Sequence, residues 1–96
     1  MKFTWDPNKA EKVLTEHKID FDRIYDFFED DYSIDIIDKK YSTPDETRFI
    51  IIGKTAVYGL VHLVYTILSE NEIRFITARK AENYYVKKYE EIIRGS

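Results

Sequence analysis

Residues 49–68 carry a single Lys or Arg and no Asp or Glu across twenty positions, so whatever the chain builds must bury most of them. That length would suit a membrane helix, which needs about 20 apolar residues. The composition says otherwise. Lys54 falls inside the run, Gly53 and Gly59 flank a turn-like break, and Val, Ile, Thr and Tyr dominate. β-Branched and aromatic residues fit the pleated surface of a sheet, so the run reads as two buried strands joined by a turn. Glu46 to Gly53 is the first strand, Lys54 to Gly59 the turn and Leu60 to Leu68 the return. On the return strand Val61, Leu63, Tyr65 and Ile67 alternate with Leu60, His62, Val64 and Thr66, which assigns them to opposite faces.

The flanks extend this pair into a meander. Ser33 to Asp38 alternates as a strand and is followed by a polar loop from Lys39 to Asp45. Ser69-Glu70-Asn71-Glu72 closes a hairpin into the strand Ile73 to Thr77. Ala78-Arg79-Lys80-Ala81 then turns to helix formers, and Ala81, Tyr85, Tyr89 and Ile92 recur at helical spacing. At the start, Met1 to Trp5 is a short strand, and Asp6-Pro7 is an N-cap with proline at the first helical position. Ala10, Val13, Leu14 and His17 form the apolar stripe of that helix. Asp20 caps a second helix, Phe21 to Phe28. The order β-α-α-β-β-β-β-α predicts a single α+β domain spanning 1–96, with its helices packed on one face of an antiparallel sheet.

Charge is unevenly distributed. Residues 1–48 carry eight Lys/Arg against thirteen Asp/Glu, net −5, and residues 49–96 seven against five, net +2. Affinity for nucleic acid rests on neutralising phosphates, so an acidic chain is a poor general binder, while a local cationic patch can still serve a small target. The carboxylates Asp22, Asp26, Glu29, Asp30, Asp31, Asp35 and Asp38 form a run that fits no calcium loop. It reads as a solvated face, with docking of a basic segment as the alternative. There is no cysteine, and the two histidines, His17 and His62, are too few for a zinc site without carboxylates. Neither a metal nor a cofactor is expected. No secretion signal opens the sequence, so a cytoplasmic location is expected.

Arg79 and Lys80 sit where the last strand gives way to the last helix. Unpaired N–H groups and the positive end of a helix suit such a junction to a phosphate, the plainer alternative being a solvated turn. His17, at the end of its apolar stripe, is either a hydrogen-bonded core histidine or a base. The core reading is the commoner one.

The segment Ile73-Arg-x-Ile-Thr-Ala-Arg-Lys-Ala81, with Tyr89-Glu-Glu91 closing the following helix, resembles the C-terminal signature of the BrnT family. The opening Phe3-x-Trp5-Asp6-Pro7-Asn8-Lys9-Ala10 is similar to that family's start. His17 and Phe21 fall within its Lys-His-Gly-Val-x-Phe segment, and Glu46-x-Arg48-Phe49, Ile52-Gly53 and Val64-Tyr65-Thr66 continue the match. Departures fall at Lys18, where the family has glycine, and at Tyr85 and Val86, where it has an acidic and a basic residue. The resemblance implies a RelE-like fold and the ribonuclease toxin of a type II toxin–antitoxin pair. Such a toxin cleaves mRNA without a metal, and its implied partner is a BrnA-like ribbon-helix-helix antitoxin through which alone it reaches DNA. Cleavage of that kind asks for positioning, cations and a proton carrier. Arg79 is then the first candidate for the phosphate clamp and Arg48 the second, Lys80 adds field or points to solvent, and Arg74 lines the RNA groove. Tyr65 stacks on a base or donates a proton, the alternative being a core tyrosine. A catalytically weak interaction module on the same fold is the rival reading.

Overall fold

The computed structural model describes residues 1–95. Its elements are β1 (Lys2–Trp5), α1 (Pro7–His17), two 3₁₀ turns (Phe21–Arg23 and Tyr25–Glu29), β2 (Ile34–Ile37), β3 (Arg48–Thr55), β4 (Gly59–Ser69), β5 (Glu72–Lys80) and α2 (Asn83–Ile93). The near-uncharged run supplies most of β3 and β4. Strands β2 to β5 form the antiparallel meander, and β1 returns to pair in parallel with β5, giving the order β1-β5-β4-β3-β2. Among the described residues no helix is long and apolar enough to cross a membrane.

One face of the sheet carries the core. Ile51, Val61, Leu63, Tyr65, Ile73, Phe75 and Ala78 pack there against Val13 of α1 and against Phe21, Ile24 and Phe27. Phe75 is the hub, with ring centroids 5.4 Å from Phe3, 5.8 Å from Trp5 and 5.5 Å from Phe21. Gly53 is required beneath this layer, because a Cβ there would stand 2.9 Å from Cβ of Phe27.

Three expectations are corrected. The segment Phe21 to Phe28 is not an α-helix but two 3₁₀ turns broken at Ile24. Its buried residues are Phe21, Ile24 and Phe27, and a spacing of three is the period at which 3₁₀ side chains align. The last strand runs on to Lys80, because Arg79 still pairs with His62 and Lys80 with Val61. The last helix therefore begins at Asn83 rather than near Ala78, and Glu82, its N-cap, makes no side-chain capping bond. Finally, the helices do not share a face. Tyr85 of α2 packs edge-on to His62, which points away from the Val61–Leu63–Tyr65 side.

The acidic run has a structural use. Asp26 accepts the Ala56 N–H at 2.8 Å and Asp30 accepts the Lys54 N–H at 2.9 Å, so two carboxylates hold the backbone of the β3–β4 turn. Asp30 also accepts from the Tyr32 N–H and the Tyr89 hydroxyl, which ties α2 to the same point. Burial alone would raise the Asp30 pKa, but hydrogen bonds from Lys54, Tyr89 and Tyr32 outweigh it and hold the carboxyl below its ordinary value.

Candidate active site

Residues paired directly across antiparallel strands share a face, so the ladders show what surrounds His62. Three rows cross the second face of the sheet. Arg48, Thr66 and Arg74 form one, Ile50, Val64 and Thr77 the next, and Ile52, His62 and Arg79 the third. A register shift beside Val64 and Tyr65 brings Thr77 and Arg74 onto this same face. α2 closes one side of the face through Tyr85, the loop after β2 brings Asp38 and Tyr41, and α1 contributes His17 from its last turn. Together they enclose a cavity of about 520 Å³ with Arg48, Arg79, His17 and His62 in its wall. That is within the roughly 300–1,000 Å³ range of ligand sites.

His62 is the most perturbed group there. It is 7% exposed, and its Nδ1 is a buried polar atom with no hydrogen-bond partner. Burial pushes its pKa below the ordinary 6.5 and the neighbouring Arg79 charge pushes the same way, against weaker opposition from Glu82 and Asp38. A histidine held neutral beside an arginine in the wall of a cleft is suited to accept a proton there through its other ring nitrogen, the one that is not enclosed. Arg79 is half exposed and bonds Glu82 at 2.8 Å, and Arg48 bonds Glu46 at 2.9 Å. The two cations therefore stand in the cavity wall, each held by a glutamate.

Of the residues singled out from sequence, the cavity brings together Arg79, Arg48 and His17. Arg74 lies on the same face, exposed, in the row of Arg48 but outside the cavity lining. Lys80 pairs with Val61 and so belongs to the opposite face from Arg79. Tyr65 is also on the core side. It is 5% exposed, stacks on Phe49 at 5.4 Å and donates its hydroxyl to Asp35 at 3.0 and 3.1 Å. Burial and the Asp35 carboxylate raise its pKa well above the ordinary 10, so it neither stacks on a base nor readily releases a proton. Sequence reasoning left out His62, Tyr41, Asp38, Thr77 and Tyr85. For His62 the signal was present, because it alternates with the core residues of β4 and so had to face the other way.

The fold and cavity define a small α+β protein with a cationic, histidine-bearing cleft on one face of a five-stranded sheet. Residues 5–84 match the family described as ribonuclease toxin, BrnT, of type II toxin–antitoxin system, and the chain belongs to that family. Its structure is similar to the crystal structure of the Brucella abortus ribonuclease toxin BrnT, with a TM-score of 0.67 and 20% identity over 86% of this chain and 99% of that one. At that identity the likeness shows a shared fold. No curated protein matches the sequence. Membership of the family implies an antitoxin partner and an RNA target.

Proposed function

We propose that the whole chain acts as one RelE-like toxin domain in the cytoplasm, a metal-independent endoribonuclease that cleaves mRNA and is neutralised by a BrnA-like ribbon-helix-helix antitoxin. Contact with DNA comes only through that antitoxin. The observation that carries the reading is His62, a histidine of lowered pKa in the cavity wall, in the same row as Arg79. In the reaction His62 accepts the proton of a ribose 2′-hydroxyl, whose oxygen attacks the adjacent phosphorus. Arg79 and Arg48 neutralise the charge that grows on the non-bridging oxygens. The bond to the 5′-oxygen breaks and His17 supplies that oxygen with a proton, leaving a cyclic 2′,3′-phosphate and a 5′-hydroxyl. Every step uses groups of this chain, so EDTA should leave cleavage intact.

The catalytically weak interaction module is the second reading, and the pairing of Arg79 with Glu82 and of Arg48 with Glu46 favours it. Arg79→Ala separates the two. Removing one such transition-state contact costs on the order of 10² to 10³ in rate, while an exposed ion pair changes stability by less than about 1 kcal/mol. The variant should fold and hold its antitoxin while RNA cleavage collapses. Parent-level cleavage by the variant would remove Arg79 from the mechanism. A parent protein that cuts no RNA, with a variant that loses the antitoxin, would establish the module.

A further inference from the structure

Two tyrosines line the cavity, one from the loop before β3 and one from α2. Tyr41 belongs to the loop joined to Arg48, where the Ser42 hydroxyl accepts the Arg48 N–H at 2.9 Å. Tyr85 is edge-on to His62 at 5.6 Å, in the row of Arg79. Arg48 and His62 lie opposite positions four residues apart on β3, which is roughly 13 Å along the strand. Tyr41 is 57% exposed, an unusual state for an aromatic residue in a cavity wall. Its backbone is not loose. One Asp38 carboxylate oxygen accepts the N–H groups of Lys40 and Tyr41 at 3.2 and 3.3 Å, and the Ser42 hydroxyl donates to the Asp38 carbonyl at 2.6 Å. Lys40 Nζ sits over the Tyr41 ring, 5.2 Å from its centroid, and the residue lines the cavity. An exposed ring on a prebuilt loop, next to a phosphate-binding group, is what a stacked base requires.

Resting on the ribonuclease reading of this cavity, we propose that Tyr41 and Tyr85 are base-stacking platforms, and that the site takes two neighbouring unpaired bases of single-stranded RNA, one on each ring. In a duplex the base faces are already stacked on their neighbours, so aromatic platforms select RNA whose bases are free to splay out. Stacking of this kind is tolerant of base identity, because every base has a flat face. The site therefore selects for unpaired RNA more than for sequence. Tyr41 is the diagnostic platform, since its ring contacts neither histidine.

The test uses an uncleavable 2′-fluoro oligonucleotide carrying 2-aminopurine at successive positions, titrated into the parent protein and into its Tyr41→Ala and Tyr41→Phe variants. Cleavage of matched single-stranded and duplex RNA is followed in parallel. In the parent, 2-aminopurine fluorescence should be quenched at two positions, and duplex RNA should be cut far more slowly than single-stranded RNA. Tyr41→Ala should abolish quenching at one position and weaken binding about five- to a hundredfold, while Tyr41→Phe retains both. Unchanged quenching and affinity in Tyr41→Ala, or equal use of duplex and single strand, would overturn the proposal while leaving the ribonuclease reading in place. Tyr41-dependent quenching in a protein that cuts no RNA would uphold the platform and end the ribonuclease reading.

Discussion

The two faces of the sheet use the same strands for opposite ends. On the core face Phe75 touches Phe3, Trp5 and Phe21, polar groups are few, and Tyr65 finds Asp35 for its hydroxyl. On the other face His62 is as deeply buried as many core residues, yet its Nδ1 has no partner. A buried polar atom left unsatisfied opposes folding, and such groups concentrate where function needs them. One face is filled by apolar packing, and the other retains a buried polar atom without a hydrogen-bond partner.

Four substitutions test that division. Phe75→Ala should be the most severe, destabilising the fold by about 3–5 kcal/mol in denaturant titrations. A loss under about 1 kcal/mol would mean that the aromatic cluster is not the core. Next comes His62→Gln, which should lower cleavage about a hundredfold or more while the protein stays folded. Its pH behaviour is the sharper measure. A histidine whose folded pKa lies below 6.5 leaves the unfolded chain with more bound protons below that pH, so parental stability should fall as pH drops from about 6.5 toward the folded value. His62→Gln should flatten that slope, and cleavage by the parent should lose its base only lower, as pH falls through the folded value. A parent whose stability does not change between pH 7 and 5, or whose slope survives in His62→Gln, would contradict this.

Tyr65→Phe should cost about 1 kcal/mol through the lost bond to Asp35 and leave the cleavage rate untouched. A drop in rate without a change in stability would return Tyr65 to the chemistry and blur the division between faces. The smallest effect belongs to Lys18, which ends α1 in the left-handed region at φ 60°, steadied by a bond from its Nζ to the Thr15 carbonyl. Glycine adopts that conformation without strain. Lys18→Gly should therefore raise stability by roughly 0.5–1 kcal/mol, read as a higher denaturation midpoint. A lower midpoint would show that the Lys18–Thr15 contact outweighs the strain.

Local signals made much of this architecture legible. Asp6-Pro7 and the Ala10–Val13–Leu14–His17 stripe place α1 at Pro7–His17, and Gly59 marks the β3–β4 hairpin, though β3 runs through Gly53 as far as Thr55. The errors arose where a long-range partner outvoted the local pattern. Ala78 to Lys80 favours helix alone, yet pairing with Val61 to Leu63 holds it as strand. Phe21, Ile24 and Phe27 follow a three-residue period because each must reach the sheet, and that demand is invisible in the segment itself. For the site, arginines announce themselves by type, whereas Tyr41 and Asp38 lie in a loop whose position depends on where Arg48 puts it.

The carboxylates that latch the β3–β4 turn have a kinetic consequence. Asp26 and Asp30 remain part of an acidic body of net charge −3, even as their oxygens accept backbone N–H groups. With that net charge the molecule as a whole offers a polyanion no long-range attraction, so capture proceeds without the electrostatic steering that speeds many nucleic-acid enzymes. Exchanging these two residues for neutral or basic ones would ease approach but release the turn they fasten. Faster encounter and a secure hairpin thus compete for the same two positions, so any gain in capture rate has to come from elsewhere on the surface.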